Sequence, residues 1–235
     1  MMTVTKDRLM LWDFFYSSVG KKILTGITGL GLTLFVVFHM LGNLVLLASP
    51  DAYNQLAHFI DSWGILLFLF ELILLVTVII HAWLGIVIRL KSGKARPIKY
   101  KMLKSAGKPS KQSLSSRSMI ITGLVLFVFL ISHLASFKFG TYYQTSVNGV
   151  AMRDLAKLVI ETFRNPFDTF GYLAVMILLG FHLRHGFWSA WQSLGVLRAP
   201  WSSVFYTIAF FFAVLIAIGF LVLPLAIFFD LLYVV

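Results

Sequence analysis

Hydrophobic residues run along this chain in five long, nearly unbroken stretches, at about 22–48, 63–90, 118–139, 169–194 and 204–235. Each reaches the roughly 20 apolar residues that a helix needs to cross a bilayer. A soluble amphipathic helix would return a polar residue at each turn, and a barrel strand would alternate. The pattern therefore predicts an all-α membrane protein, a single transmembrane domain of five helices in a bundle, because lipid admits only helices or closed barrels. The fourth stretch is the least apolar, interrupted in its inner half by Arg184 and two histidines. The fifth carries Pro224, where a kink is expected. The polar segment 140–168 is expected to hold a short surface helix at about Met152–Phe163.

Composition agrees: 59% of the 235 residues are hydrophobic, 12% are charged, and the mean hydropathy is +0.89. Soluble domains carry about a quarter charged residues. The first twenty residues show no apolar core with a cleavage site, so no cleaved signal peptide is expected. Cysteine is absent, which removes disulfides, thiolate metal ligands and Cys-held iron–sulfur clusters from this chain.

A net charge of +11 raises the question of nucleic acid, but the basic residues flank apolar spans, and a membrane explains them better. Of the 20 Lys and Arg, 16 fall on one side of the predicted bundle, ten of them between Arg89 and Arg117. The other side holds Lys138, Arg153, Lys157 and Arg164. Basic loops stay inside, so the N-terminus is expected in the cytoplasm and the C-terminus outside. The basic loop 91–117 has two readings: a topology determinant touching anionic lipid, or a docking surface for a soluble partner.

Of six histidines, His39, His81, His133, His182 and His185 lie inside apolar spans, and His58 reads as a surface residue. One membrane histidine is as easily an interhelical hydrogen-bonding group as a ligand. Here four successive helices each carry one, in a repeated setting. Thr28-Gly29 precede His39 by eleven and ten residues, and Thr122-Gly123 precede His133 by the same offsets. Gly85 follows His81 by four residues, as Gly186 follows His182. Eleven residues are close to three turns, so each Thr shares a helix face with its His. A glycine one turn from a ligand leaves room for a flat macrocycle. Depth along the helices sorts the histidines into an outer layer, His39 with His133, and an inner layer, His81 with His182 or His185. Two facing imidazoles are a bis-histidine haem arrangement, whereas zinc or di-iron would ask for carboxylates or a third imidazole near each pair.

Residues 20–95 and 116–196 resemble the five-helix, di-haem cytochrome b subunit that anchors succinate:quinone oxidoreductases, the succinate dehydrogenases and fumarate reductases. The similar segments are Thr28-Gly29 to His39, His58-Phe59-Ile60-Asp61-Ser62, His81-Ala82-x-x-Gly85, Thr122-Gly123 to His133, and Phe181-His182-x-x-x-Gly186-x-Trp188-Ser189. The resemblance implies two haem b groups, the outer ligated by His39 and His133, the inner by His81 and His182. His185 would then stand beside the site. It also implies a bacterial cytoplasmic (inner) membrane location. The partners would be an FAD flavoprotein and an iron–sulfur subunit, docked on the basic cytoplasmic side, and a membrane quinone. Electron movement across the bilayer couples to voltage at about 2.3 kcal/mol per charge per 100 mV, which suits a low-potential quinone such as menaquinone.

Asp61, at the mouth of the second span, is the family's quinone-linked acid by this resemblance or a helix-capping residue by position. Glu71, expected about 12 Å further along the same helix, is a proton relay or an acid held neutral. Lys138 outside and Arg89 inside have the depth to meet haem propionates, although flanking basic residues commonly just snorkel. Two other functions fit the same pattern: the haem b anchor of a hydrogenase or formate dehydrogenase, and a haem-free transporter with a histidine proton relay.

Overall fold

The computed structural model describes residues 13–94 and 113–231. Most of the basic loop, Lys6, Arg8 and the last four residues of the predicted fifth span lie outside the described residues. Five helices are long and apolar enough to cross a membrane. They are α1 (Ser18–Leu44, extended by a 3-10 turn Val45–Leu47), α3 (Ile65–Lys94), α4 (Leu114–His133, continued by a π turn Leu134–Lys138), α6 (Pro166–Ser193) and α7 (Ala199–Phe228). Between the long helices lie α2 (Pro50–Asp61), the hairpin β1 (Gln144–Val147) and β2 (Val150–Arg153), and α5 (Leu155–Arg164).

The starts of the helices follow local chemistry. Ser17 caps α1 by accepting from Gly20 N–H at 2.9 Å, and Ser113 with Ser116 forms a reciprocal capping box on α4. Asn165 caps α6, with Pro166 as its first residue. The structure places these starts three to five residues earlier than hydropathy alone does for α1, α4, α6 and α7; the first three begin behind a side-chain cap, and α7 begins with Ala199-Pro200 and has no such cap.

The helices alternate in direction, so one end of the bundle gathers Lys21, Lys22, Arg89, Lys91 and Arg117. We call this the basic end, and "inner" below means nearer to it. α6 is central, packing against α1, α4 and α7, while α3 lies at the edge and bears a row of exposed side chains such as Ile65, Leu72, Ile73 and Ile80. Arg184 is accommodated in α6 because its guanidinium lies over the rings of Tyr206 and Phe210, at 5.4 and 5.2 Å, and donates to the Tyr206 hydroxyl at 3.4 Å.

The opposite end is closed by α2, the hairpin and α5. Leu46, Tyr53, Ala156, Val159, Phe163, Leu223 and Ile227 form one apolar cluster there. Asn54, 2% exposed, joins the pieces: its amide donates to Asp154 Oδ1 at 2.9 Å and its Oδ1 accepts from Ala156 N–H at 2.9 Å. Burial pushes the Tyr53 phenol up to about 12, against the opposing pull of the Arg153 cation, so it remains an O–H donor to Asn43 Oδ1 at 3.1 Å.

Three boundaries differ from the expected ones. The surface helix expected at Met152–Phe163 begins at Leu155, and Met152 belongs to β2. The Asn148-Gly149 pair, both at positive φ, turns the chain into a hairpin instead, and Asp154 caps the helix that follows. The second span begins at Ile65, because Ser49-Pro50 start a separate helix that Asp61 ends; Gly64, at φ 55, makes the turn. The fifth span ends at Phe228, having passed Pro224, and Asp230 lies beyond it, exposed and at positive φ.

Candidate functional site: two histidine pairs

His81 and His182 each stand sixteen residues after the first residue of their helices, α3 and α6, which run in the same direction. Their rings meet edge to face, with centroids 6.4 Å apart and planes inclined at 68°. His39 of α1 and His133 of α4 form a second pair, with centroids 5.6 Å apart. His185 is not in either pair; it packs against Trp188, ring to ring at 5.9 Å. His58 is exposed on α2. A metal bonded to two imidazoles at about 2 Å each sets their centroids about 6 Å apart. Both pairs are within several tenths of an ångström of that spacing.

The pairs are at two levels. Thr28 of α1 touches His81, and Thr122 of α4 touches His182, so each Thr marks the inner level on a helix whose histidine serves the outer one. Eleven residues of helix separate the levels, about 16 Å. The Thr–His offset noticed in the sequence therefore has a structural meaning different from the one expected. The Thr-Gly doublets do not attend the histidine of their own helix. They meet the inner histidine of the next span.

The glycines fix how closely the rings approach. A Cβ at Gly29 would meet His81 Cε1 at 3.0 Å, and one at Gly123 would meet His182 Cε1 at 3.2 Å. Each inner imidazole thus lies against bare helix backbone, where alanine would push it away. At Gly85 a Cβ would meet nothing within 4 Å, which leaves open space one turn from His81. These features fit a flat group held between the two imidazoles: paired rings at a suitable centroid spacing, and glycine backbone rather than side chains alongside.

The outer pair sits in an aromatic shell. His39 stacks on Phe35, with centroids 5.4 Å apart, and His133 is close to Phe129, Phe137 and Tyr172. Tyr172 places its hydroxyl 3.3 Å from His133 Nδ1. Asn43 bonds the carbonyl of His39 at 2.7 Å and links that turn to Tyr53. Tyr172 was missed in the sequence, yet it precedes His182 by ten residues, as Glu71 precedes His81. That shared offset was the available signal.

The remaining candidates are redistributed. Glu71 and Lys138 are ion-paired to each other across α3 and α4, both side chains about two-fifths exposed. Lys138, expected to meet a haem propionate, is engaged by Glu71. Asp61 is exposed and ends α2; its backbone carbonyl, not its carboxylate, accepts from Gly64 N–H at 3.2 Å, so it does not cap α3. Asp61 and Glu71 accordingly do not share a helix. Arg89 is exposed at the basic end. A further cation lies at this end of the bundle: Arg153 donates to the carbonyl of Phe137 at 2.9 Å and to that of Thr141 at 3.3 Å, tying the hairpin to the end of α4.

In comparisons with known proteins, no family model, no curated protein and no solved structure matches the chain.

Proposed function

We propose that this chain is the di-haem cytochrome b anchor of a succinate:quinone oxidoreductase. It would pass electrons between an iron–sulfur subunit and a membrane quinone. The observation that carries the reading is the pairing of His81 with His182 and of His39 with His133, at 6.4 and 5.6 Å, on two levels of one bundle. The choice of succinate:quinone oxidoreductase over another dehydrogenase rests on the sequence segments around those histidines.

Bound haem iron supplies one-electron storage. The chain's own residues supply the rest. His81 and His182 would hold the inner group, and His39 and His133 the outer one, at two levels about 16 Å apart along the bundle. Phe35, Phe129, Phe137 and Tyr172 exclude water around the outer station. The basic end would face the cytoplasm and receive the iron–sulfur and FAD subunits, supported by the lysines and arginines gathered there. Asp61, exposed at the opposite end, is placed to exchange protons with water, and the Glu71–Lys138 pair stands on the same side of the bundle. These are the residues to which quinone protonation is assigned, with menaquinone as the quinone of matching potential.

The test is purification of the tagged chain from its native membrane. The account expects a flavoprotein and an iron–sulfur protein to co-purify, with succinate reducing b-type optical bands. Co-purification with a nickel or molybdenum dehydrogenase would assign the anchor to that enzyme instead, and featureless optical spectra would leave the haem-free transporter.

A further inference from the structure

Two threonines reach the inner histidine pair from helices whose own histidines belong to the outer pair. Thr28 Oγ1 donates to the Leu24 carbonyl at 2.7 Å, with the Thr25 carbonyl also near at 3.2 Å. A hydroxyl has one proton, so the side of the oxygen that meets His81 Nδ1, at 3.2 Å, is a lone pair. Thr122 repeats the arrangement. Its hydroxyl is bonded back to the carbonyls of Ser118 and Met119, at 3.1 and 3.2 Å, and lies 3.1 Å from His182 Nδ1. With the hydroxyl proton given to one of these backbone carbonyls, the oxygen is left to accept and Nδ1 to carry the proton. Nε2 is then the nitrogen with a free lone pair.

We propose that Thr28 and Thr122 are positioning residues of the inner pair: they hold His81 and His182 as Nδ1–H tautomers, present Nε2 to a metal, and set the basicity of both axial ligands of a single haem. The proposal rests on the di-haem reading and deepens it. Gly29 and Gly123 complete the device. Each imidazole is located between the hydroxyl of one residue and the bare backbone of the next, so its rotation about Cβ is restricted on two sides. The two halves of the bundle build it independently, α1 for α3 and α4 for α6. The outer pair is built differently: His133 Nδ1 stands 3.3 Å from the Tyr172 phenol.

An accepted Nδ1–H bond makes the imidazole a stronger donor and favours the ferric state. Removing the acceptor should therefore raise the potential of the inner haem alone. The experiment is a redox titration of the assembled complex carrying Thr28→Val or Thr122→Val, which keep the β-branched shape, with Thr28→Ser and Thr122→Ser as the hydroxyl-retaining counterparts. The inner haem is identified as the one lost in His182→Ala. Each valine variant is expected to shift the inner reduction equilibrium about tenfold, or 59 mV for one electron, with the outer haem unmoved and the serine variants restored. If valine costs the inner haem outright, its return in the serine variant supports the proposal, and its absence there overturns it in favour of methyl packing. Unchanged potentials in both valine variants, or a shift in the outer haem, overturn the proposal and leave two haems standing. A wild-type complex without haem overturns the di-haem reading and this proposal together.

Discussion

Glu71 of α3 and Lys138 at the end of α4 form an ion pair that joins the two spans at the edge of the bundle. Both side chains are partly exposed, which places the pair at the periphery of the bundle rather than in its core. Glu71→Gln and Lys138→Gln are each expected to cost about 1 kcal/mol of stability, the upper part of the range for exposed pairs. The double variant is expected to lose little more than either single one. Thermal unfolding in lipid nanodiscs measures this cycle, and strictly additive losses would show that the two side chains act separately.

Asn54 makes a sharper case, because it is buried and uses both ends of its amide. Asn54→Leu leaves the Ala156 N–H and the Asp154 carboxylate without their partner. A loss of about 2 kcal/mol is expected, concentrated in the cap formed by α2, the hairpin and α5. Limited proteolysis between residues 140 and 165 should become faster, while the five long helices keep their hydrogen-exchange protection. The Tyr53 phenol adds a pH dependence to the same cap. Its proton affinity is raised on folding, so its contribution is complete below about pH 10 and lost as pH rises through about 12.

The five spans were readable from hydropathy because lipid demands long apolar runs whatever the packing. The two histidine levels were readable because, in straight spans of alternating direction, position along the sequence gives depth. What was lost lay in short polar signals. Ser49-Pro50 and Asn148-Gly149 announce a helix start and a hairpin turn, but both sit beside apolar runs whose length dominated the reading. The contacts of Thr28 and Thr122 were invisible for a different reason: they cross between helices, and one-dimensional spacing shows only which residues share a face. The Glu71–Lys138 pair was hidden in the same way, since the residues are 67 positions apart.

Quinone chemistry at the capped end is tested at Asp61. The residue is exposed and does not cap α3 through its carboxylate, so the structural cost of Asp61→Asn is expected to be within about 0.5 kcal/mol. If Asp61 moves the quinone proton, that variant should lose most quinone-linked turnover. Both haems, and succinate oxidation with an artificial acceptor, should remain. Normal quinone turnover would transfer the role to Glu71.

Orientation follows from the distribution of Lys and Arg and is tested with reporters. A fusion after Ser105 should be active only as a cytoplasmic marker, and one near Asn148, in the hairpin turn, only as an exported marker. The same side for both would mean that α4 does not cross the membrane between them.

The pairing of His182 with His81, and the exclusion of His185 from either pair, makes the account's central claim quantitative. The direct measurement is haem per chain, by pyridine haemochrome analysis of the purified complex, in the wild type and in two variants. Two b-type haems are expected in the wild type, one in His182→Ala and two in His185→Ala. One haem or none in the wild type, or loss of a haem on replacing His185 but not His182, would contradict it.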